Sequence, residues 1–240
     1  MHDNQTGPEG IPLPTVVTAR EHLEEVSLDL KKAPRLALDI ESNGFYAYRE
    51  KVCLIQLSSP ESDFILDPIA VKDISALGPL FANPAIEKLF HAGEYDILCL
   101  KRDYGFTFRN VFDTMVAARL LGFKELGLAA AIERHFGVKL SKKLQRADWG
   151  RRPLTPEHIR YAQLDTHYLI RLADILKPLL AQKGRLEDSH EAFAELKVLP
   201  ADFEREFLII EIFDRDIGQA QNHVELIIGG GGSGTRNQSA

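Results

Sequence analysis

The chain has 240 residues, a formal charge of −6, 45% hydrophobic residues and 27% charged residues, the balance of an ordinary soluble globular protein long enough to bury a full core. Two cysteines, Cys53 and Cys99, cannot build a disulfide framework and form no Cys-x-x-Cys pair; no run of ~18 apolar residues could cross a membrane; the polar opening MHDNQTGPEG has no apolar signal core. A secreted disulfide scaffold, a membrane protein and a disordered chain are excluded, and the expectation is one domain plus an appendage in a reducing, cytoplasmic setting.

Residues 1–14 carry three prolines without periodicity and read as a flexible leader. Thr18 can cap a helix over residues 19–32, with Glu21 in the capping-box position and Leu23, Val26 and Leu30 at helical spacing. In RLALDIES, Leu36, Leu38 and Ile40 alternate against Ala37, Asp39 and Glu41, which is a strand pattern. VCLIQLSS and DFILD follow across the turn-forming PES, giving three antiparallel strands. Gln56, polar within the second of these, reads as a structural hydrogen bonder. DISALGPLFANP reads as a helix ended at Asn83-Pro84, AIEKLFHA as a fourth strand, EYDILCLKRDYG as a helix ended by Gly105, and FRNVFD as a short fifth strand. From Thr114 to Lys183 the spacing is mostly helical, closing with one long helix over residues 156–183. The domain therefore spans residues 15–184, followed by a weaker helical extension over 185–228 and a flexible tail, 229–240, with five glycines in six positions. Strands first, then alternation, then helices describe an α/β sandwich around a mixed sheet.

Asp39 and Glu41 are two residues apart on a strand, so both carboxylates point to one face. Such a pair either lies on a solvated sheet face or strand end, or repels until a cation such as Mg²⁺ or Mn²⁺ settles between the oxygens. Asp96, in HAGEYDIL, falls near the start of a helix, where it could simply complement the helix dipole. Tyr161 and Asp165 are four apart on a helix and share a face, either as an exposed acid beside a half-buried tyrosine or as a metal ligand beside a group that orients water. His91 reads either as a strand-end histidine satisfied by backbone or as a residue with a direct catalytic role, and it is left out of the catalytic set.

In order and spacing, LDIES, VCLIQLS, HAGEYDILCL, FDTMVAARLLG, KLQRADWGRRPLT and YAQLDTHYL resemble the DEDD superfamily of 3′–5′ exonucleases, tyrosine subgroup, in its ribonuclease D-like form, from about Leu36 to Leu180. The resemblance implies a ribonuclease H-like three-layer α/β/α sandwich with a mixed five-stranded sheet, the first three strands antiparallel. It implies two divalent cations, Mg²⁺ or Mn²⁺, held by Asp39, Glu41, Asp96 and Asp165. Asp39 would bridge them, Glu41 and Asp165 would complete one site, Asp96 would reach the other largely through water, and Tyr161 would hydrogen-bond the attacking water.

An acidic chain that takes a polyanion needs a local basic patch. Between Lys139 and Arg152 there are six basic residues against Asp148 alone, among them Lys142, Lys143, Arg146, Arg151 and Arg152. Trp149 lies among them and could stack a base or sit in the core. Phe45, Tyr46 and Tyr48, just after Glu41, could grip a terminal nucleotide or pack a hairpin.

The expected function is a metal-dependent 3′–5′ exoribonuclease that trims single-stranded RNA 3′ ends, tRNA precursors included, and releases nucleoside monophosphates. The rival readings are a 3′–5′ DNA exonuclease in repair and a non-catalytic nucleic-acid-binding scaffold. No membrane association or obligate protein partner is expected. The family member that names the resemblance carries two further helical nucleic-acid-binding domains, for which the roughly 55 residues after Gly184 are too few.

Overall fold

In the computed structural model of the chain, residues 10–189 and 192 are described. The expected helices of the extension beyond them, the glycine-rich tail and the leader up to residue 9 lie outside the described residues.

Among the described residues the sheet is mixed and has six strands rather than five. In chain order these are β1 (Thr15–Val17), β2 (Arg35–Ser42), β3 (Val52–Ser58), β4 (Asp63–Leu66), β5 (Glu87–Phe90) and β6 (Val111–Asp113). Their spatial order is β1-β4-β3-β2-β5-β6. The antiparallel trio is β2, β3 and β4, as the three apolar runs implied. β5 and β6 add in parallel on one side, and β1 runs parallel to β4 on the other, pairing Val16 with Ile65. The additional strand is three residues long, too short to show a period of two.

Among the described residues eight helices flank the sheet: α1 (Arg20–Leu30), α2 (Pro68–Val71), α3 (Gly78–Ala82), α4 (Glu94–Tyr104), α5 (Thr114–Leu120), α6 (Leu128–Phe136), α7 (Pro156–His167) and α8 (Leu169–Gln182). Alternation along β2 divides them into two layers. Leu36, Leu38 and Ile40 face a core shared with Leu23, Val26 and Leu30 of α1, Leu80 and Phe81 of α3, and Ile97 and Leu100 of α4. Ala37 faces the opposite layer, packed with Leu89, Phe112, Ala117 of α5 and Leu172, Ala173 and Leu176 of α8. Next to this second core, Leu54 and Ile65 pack with Ala162 of α7 and with Trp149.

Several local expectations change. Ala19, extended, stands at the N-cap of α1 with no side-chain cap, so Thr18 does not fill that role; burial of Leu23, Val26 and Leu30 holds the helix instead. DISALGPLFANP forms a 3₁₀ turn, Ser75–Leu77, that runs into the short α3. The long final helix is two helices that break at Tyr168, whose ring is buried against Phe136 with centroids 5.1 Å apart. Ile11, read as part of the leader, is buried with Ile132 and Tyr168. The neighbouring Pro12 carbonyl accepts from Gln163 Nε2 at 2.7 Å.

Candidate active site

The same alternation that buries Leu36, Leu38 and Ile40 turns Asp39 and Glu41 to the α7 side of the sheet. Across the antiparallel ladder Asp39 opposes Gln56 and Glu41 opposes Leu54, and the register shifts immediately after Glu41. Such an extra residue bends the strand and re-aims its side chains, a device common beside active sites.

α7 is positioned to meet these acids. Thr155 caps it by accepting from His158 N–H, and Pro156 occupies its first turn. Ala162, Gln163 and Thr166 form its buried side. Thr166 and Ser58 share a hydroxyl hydrogen bond of 2.7 Å, and Gln163 and His167 both donate to Asp63 of β4, at 2.6 and 2.8 Å. Pinned in this way, α7 brings Asp165 over β2. Carboxylate oxygens of Asp39, Glu41 and Asp165 all lie within 4.8 Å of one another.

Asp96 comes from the first turn of α4, in the opposite helical layer, and is 7% exposed. Its position depends on the turn that joins β5 to α4. Ala92 has φ +61°, and a Cβ on Gly93 would lie 2.4 Å from Phe90, so only glycine allows the turn to close there. The Asp113 carboxylate holds the turn, accepting from Ala92 N–H at 3.2 Å and Gly93 N–H at 2.8 Å. The same carboxylate caps α5 through Met115 and Val116 N–H. His91 Nδ1 bonds the Thr114 hydroxyl at 2.8 Å.

Electrostatics tie the four acids and Tyr161 into one site. Burial, reinforced by Asp39, Asp165 and Asp96, holds the Glu41 carboxyl well above its usual value. Burial and Asp39 do the same to Asp165. Burial, together with Asp165, Glu41 and Asp39, drives the Tyr161 phenol up, away from ionisation. Acids gathered at this cost to their charged forms fit a divalent cation, which would restore ionisation. The donors are carboxylate oxygens with no thiolate or imidazole in the group, a set that suits Mg²⁺ or Mn²⁺ better than Zn²⁺.

The basic segment divides in two. Lys142, Lys143, Arg146 and Arg151 are exposed, and Lys143 pairs at the surface with Glu157. Trp149 and Arg152 do not belong with them. Trp149 is 1% exposed, packed with Cys53, Leu54 and Ala162, so it has no face to offer a base. The Arg152 guanidinium grips Asp67 through two contacts, 2.6 and 2.8 Å, and donates to the carbonyls of Trp149, Arg151 and Cys53. Its donors are occupied within the fold, where they fasten the segment to β3.

Phe45, Tyr46 and Tyr48 are exposed, Tyr48 by 90%, so they do not pack a hairpin. Their loop is tied at its far end. Glu50 accepts from Ser42, Tyr95 and Arg102, and Tyr46 donates to the Arg146 carbonyl. The aromatic loop thereby touches the basic segment.

One role was missed in the sequence and one expectation is overturned. Asp113 precedes a helical run in FDTMVAARLLG, and an acid before a helix start is a readable cap signal. Gln56, expected to satisfy a structural hydrogen bond, is fully buried with neither amide atom bonded.

Comparison with known proteins places this geometry. The family model described as 3′–5′ exonuclease matches residues 14–181. The chain is 39% identical over 170 residues to the exosome complex component 10 homolog of Caenorhabditis elegans, an overlap of 70% of this chain and 19% of that protein. The crystal structure of the catalytic core of RRP6 from Trypanosoma brucei is similar with a TM-score of 0.74 at 36% identity, covering 77% of this chain and 52% of that one. Escherichia coli RNase D, described as an exoribonuclease involved in structured RNA processing, is similar with a TM-score of 0.72 at 28% identity, covering 77% and 49%. The chain spans about a fifth to a quarter of the length of the curated relatives it matches.

Proposed function

The chain belongs to the 3′–5′ exonuclease family, in its ribonuclease D-like branch, and from that premise we propose that it is a metal-dependent exoribonuclease acting on single-stranded RNA 3′ ends. The observation that carries the reading is the convergence of Asp39, Glu41 and Asp165 within 4.8 Å, with Asp96 near enough to act on Glu41. A binding scaffold gains nothing from anions gathered where phosphate must approach.

The reaction adds water across the last phosphodiester. The water oxygen bonds to phosphorus, the P–O3′ bond breaks, and O3′ leaves with a proton, freeing a nucleoside monophosphate. A pair of divalent cations, when bound, would supply charge neutralisation at the phosphoryl oxygens and a more acidic water. Asp39, Glu41 and Asp165 would hold them, with Asp96 beside. Tyr161 keeps its proton, so it orients the attacking water by hydrogen bonding rather than acting as a base. Lys142, Lys143, Arg146 and Arg151 follow the phosphate backbone, and Phe45, Tyr46 and Tyr48 stack the terminal bases. The description of Escherichia coli RNase D as an exoribonuclease supports RNA over DNA as the substrate, and tRNA precursors are one class of RNA with ends to trim.

The test is digestion of matched 5′-labelled RNA and DNA oligonucleotides with Mn²⁺ or with chelator. A ladder shortening from the 3′ end of RNA, abolished by chelator and by Asp165→Asn in a folded variant, is expected. Shortening of DNA alone would favour the repair reading. A band shift without released nucleotide in either condition would leave a binder and defeat the proposal.

A further inference from the structure

Gln56 is a buried polar residue in the site region whose chemistry the structure leaves unused. It sits in the middle of β3, is fully buried, and neither its amide nitrogen nor its carbonyl oxygen makes a hydrogen bond. A strand position this deep ordinarily takes Leu, Ile or Val, because a buried amide without partners is costly. The neighbouring strand residues are of that kind: Leu54, Ile55 and Leu57 are all buried. A carboxamide kept here needs a partner that it engages only when the site is loaded.

Its surroundings name that partner. Gln56 is registered directly opposite Asp39, and opposed residues on antiparallel strands bring their Cβ atoms to ~5 Å. On the other flank it opposes Ile65, which is apolar. Two residues along β3 on the same face, Ser58 is hydrogen-bonded to Thr166, the residue after Asp165. Ala162, one turn earlier on α7, packs with Leu54 and Ile65. Gln56 therefore lies beneath α7 with Asp39 as its cross-strand neighbour, and an amide supplies what a cation-binding carboxylate needs on its outer side: an uncharged N–H donor that fixes its orientation.

Gln56 and Asp39 face each other without a hydrogen bond between their side chains in this structure; we propose that Gln56 is a positioning residue for the cation site, its amide N–H groups donating to the Asp39 carboxylate once a cation draws that carboxylate into its bound orientation. This rests on the exonuclease reading. Gln56 touches neither substrate nor water; it acts through Asp39.

Gln56→Met and Gln56→Leu, which keep volume and remove the amide, test it in the full chain by Mn²⁺ titration calorimetry and by thermal melting in chelator. The expected result is a weakening of Mn²⁺ affinity on the order of tenfold, with a melting temperature in chelator equal to or above wild type, since a buried unbonded amide has gone. In activity assays kcat falls and the KM for RNA holds. Wild-type Mn²⁺ affinity in either folded variant overturns the proposal. Collapse of both variants in chelator also overturns it, because the amide would then serve the fold itself. If the unmodified chain takes up no Mn²⁺, the exonuclease reading fails, a separate outcome recorded in the same titration.

Discussion

Trp149 lies against Tyr161 with ring centroids 5.9 Å apart and planes at 40°, so the tryptophan amid the basic segment forms a wall of the candidate active site. Its opposite neighbour is His158, edge-on at 5.3 Å. Removing the indole should do two things. Trp149→Ala is expected to cost ~3–5 kcal/mol of stability, the usual result of emptying a large buried aromatic site, and to lower kcat through a loosened Tyr161. Trp149→Phe, which keeps an aromatic surface beside Tyr161, should lose less of both. Urea unfolding and the rate of RNA digestion at saturating RNA check this, and RNA anisotropy reads binding separately. A Trp149→Phe variant that is as stable as wild type but binds RNA much more weakly would return the residue to the substrate surface.

Neighbouring arginines should separate in the same way. Arg152 is committed to Asp67 and three backbone carbonyls, and those contacts help hold the Asp67 carboxyl below its usual value despite burial. Arg152→Ala leaves that carboxylate without its partner and should destabilise the fold by ~3 kcal/mol or more. Arg151 is exposed. Arg151→Ala should leave stability within ~0.5 kcal/mol while weakening RNA binding and reducing the salt dependence of log K by a slope of about one. Binding isotherms over a salt series, paired with melts, separate the two residues. Equal salt slopes in wild type and Arg151→Ala would remove it from the phosphate path.

These contrasts mark where reading the sequence succeeded. Alternation in RLALDIES placed β2 and committed Asp39 and Glu41 to one face, because a period of two leaves no other choice once Leu36 and Leu38 are buried. Helix spacing placed Tyr161 beside Asp165. No local pattern could bring those elements together; the family resemblance supplied that expectation, and the docking of α7 on Ser58 and Asp63 is its physical basis. Trp149 was ambiguous because aromatic-among-cations composition is the same for a base platform and for a core plug beneath a basic loop. The break at Tyr168 was hidden because the apolar spacing continues through it. β1 was hidden because three residues carry no period.

The gathered acids make a pH prediction for the metal-free chain. Glu41 and Asp165 bind protons more tightly folded than unfolded, so the native state holds more protons above the unfolded value of ~4. Their contribution to stability is fully present below that pH and is lost as pH rises through the raised native values. In chelator, stability should decline as pH rises above the unfolded carboxylate value of ~4, and Mn²⁺ should oppose the decline because it binds the ionised form. Asp39→Asn removes one of the repelling charges. It should be more stable than wild type in chelator at the upper end of a pH series, by ~1–2 kcal/mol, yet gain little from Mn²⁺. Urea melts across the series with and without metal decide the point. Stability that instead rises with pH in chelator would mean these carboxyls are not held protonated by the fold.

Tyr161 yields the sharpest prediction about chemistry. In the metal-free chain, burial and three carboxylates hold its phenol above its ordinary value, and the expectation is that it enters the reaction as a hydrogen-bond donor. The activity profile should therefore have no limb assignable to tyrosine ionisation below ~10. Tyr161→Phe deletes only the hydroxyl and keeps the ring against Trp149. It should reduce kcat on the order of 10²-fold, the scale for losing one preorganised donor, while Mn²⁺ affinity and the KM for RNA stay near wild type. A base role predicts a different pattern: a wild-type rate that climbs with phenol ionisation and a Tyr161→Phe rate that is flat with pH. Parallel pH–rate profiles for the two proteins, differing only in height, are the signature of an orienting hydroxyl, and profiles that converge at low pH would assign the proton transfer to Tyr161 after all.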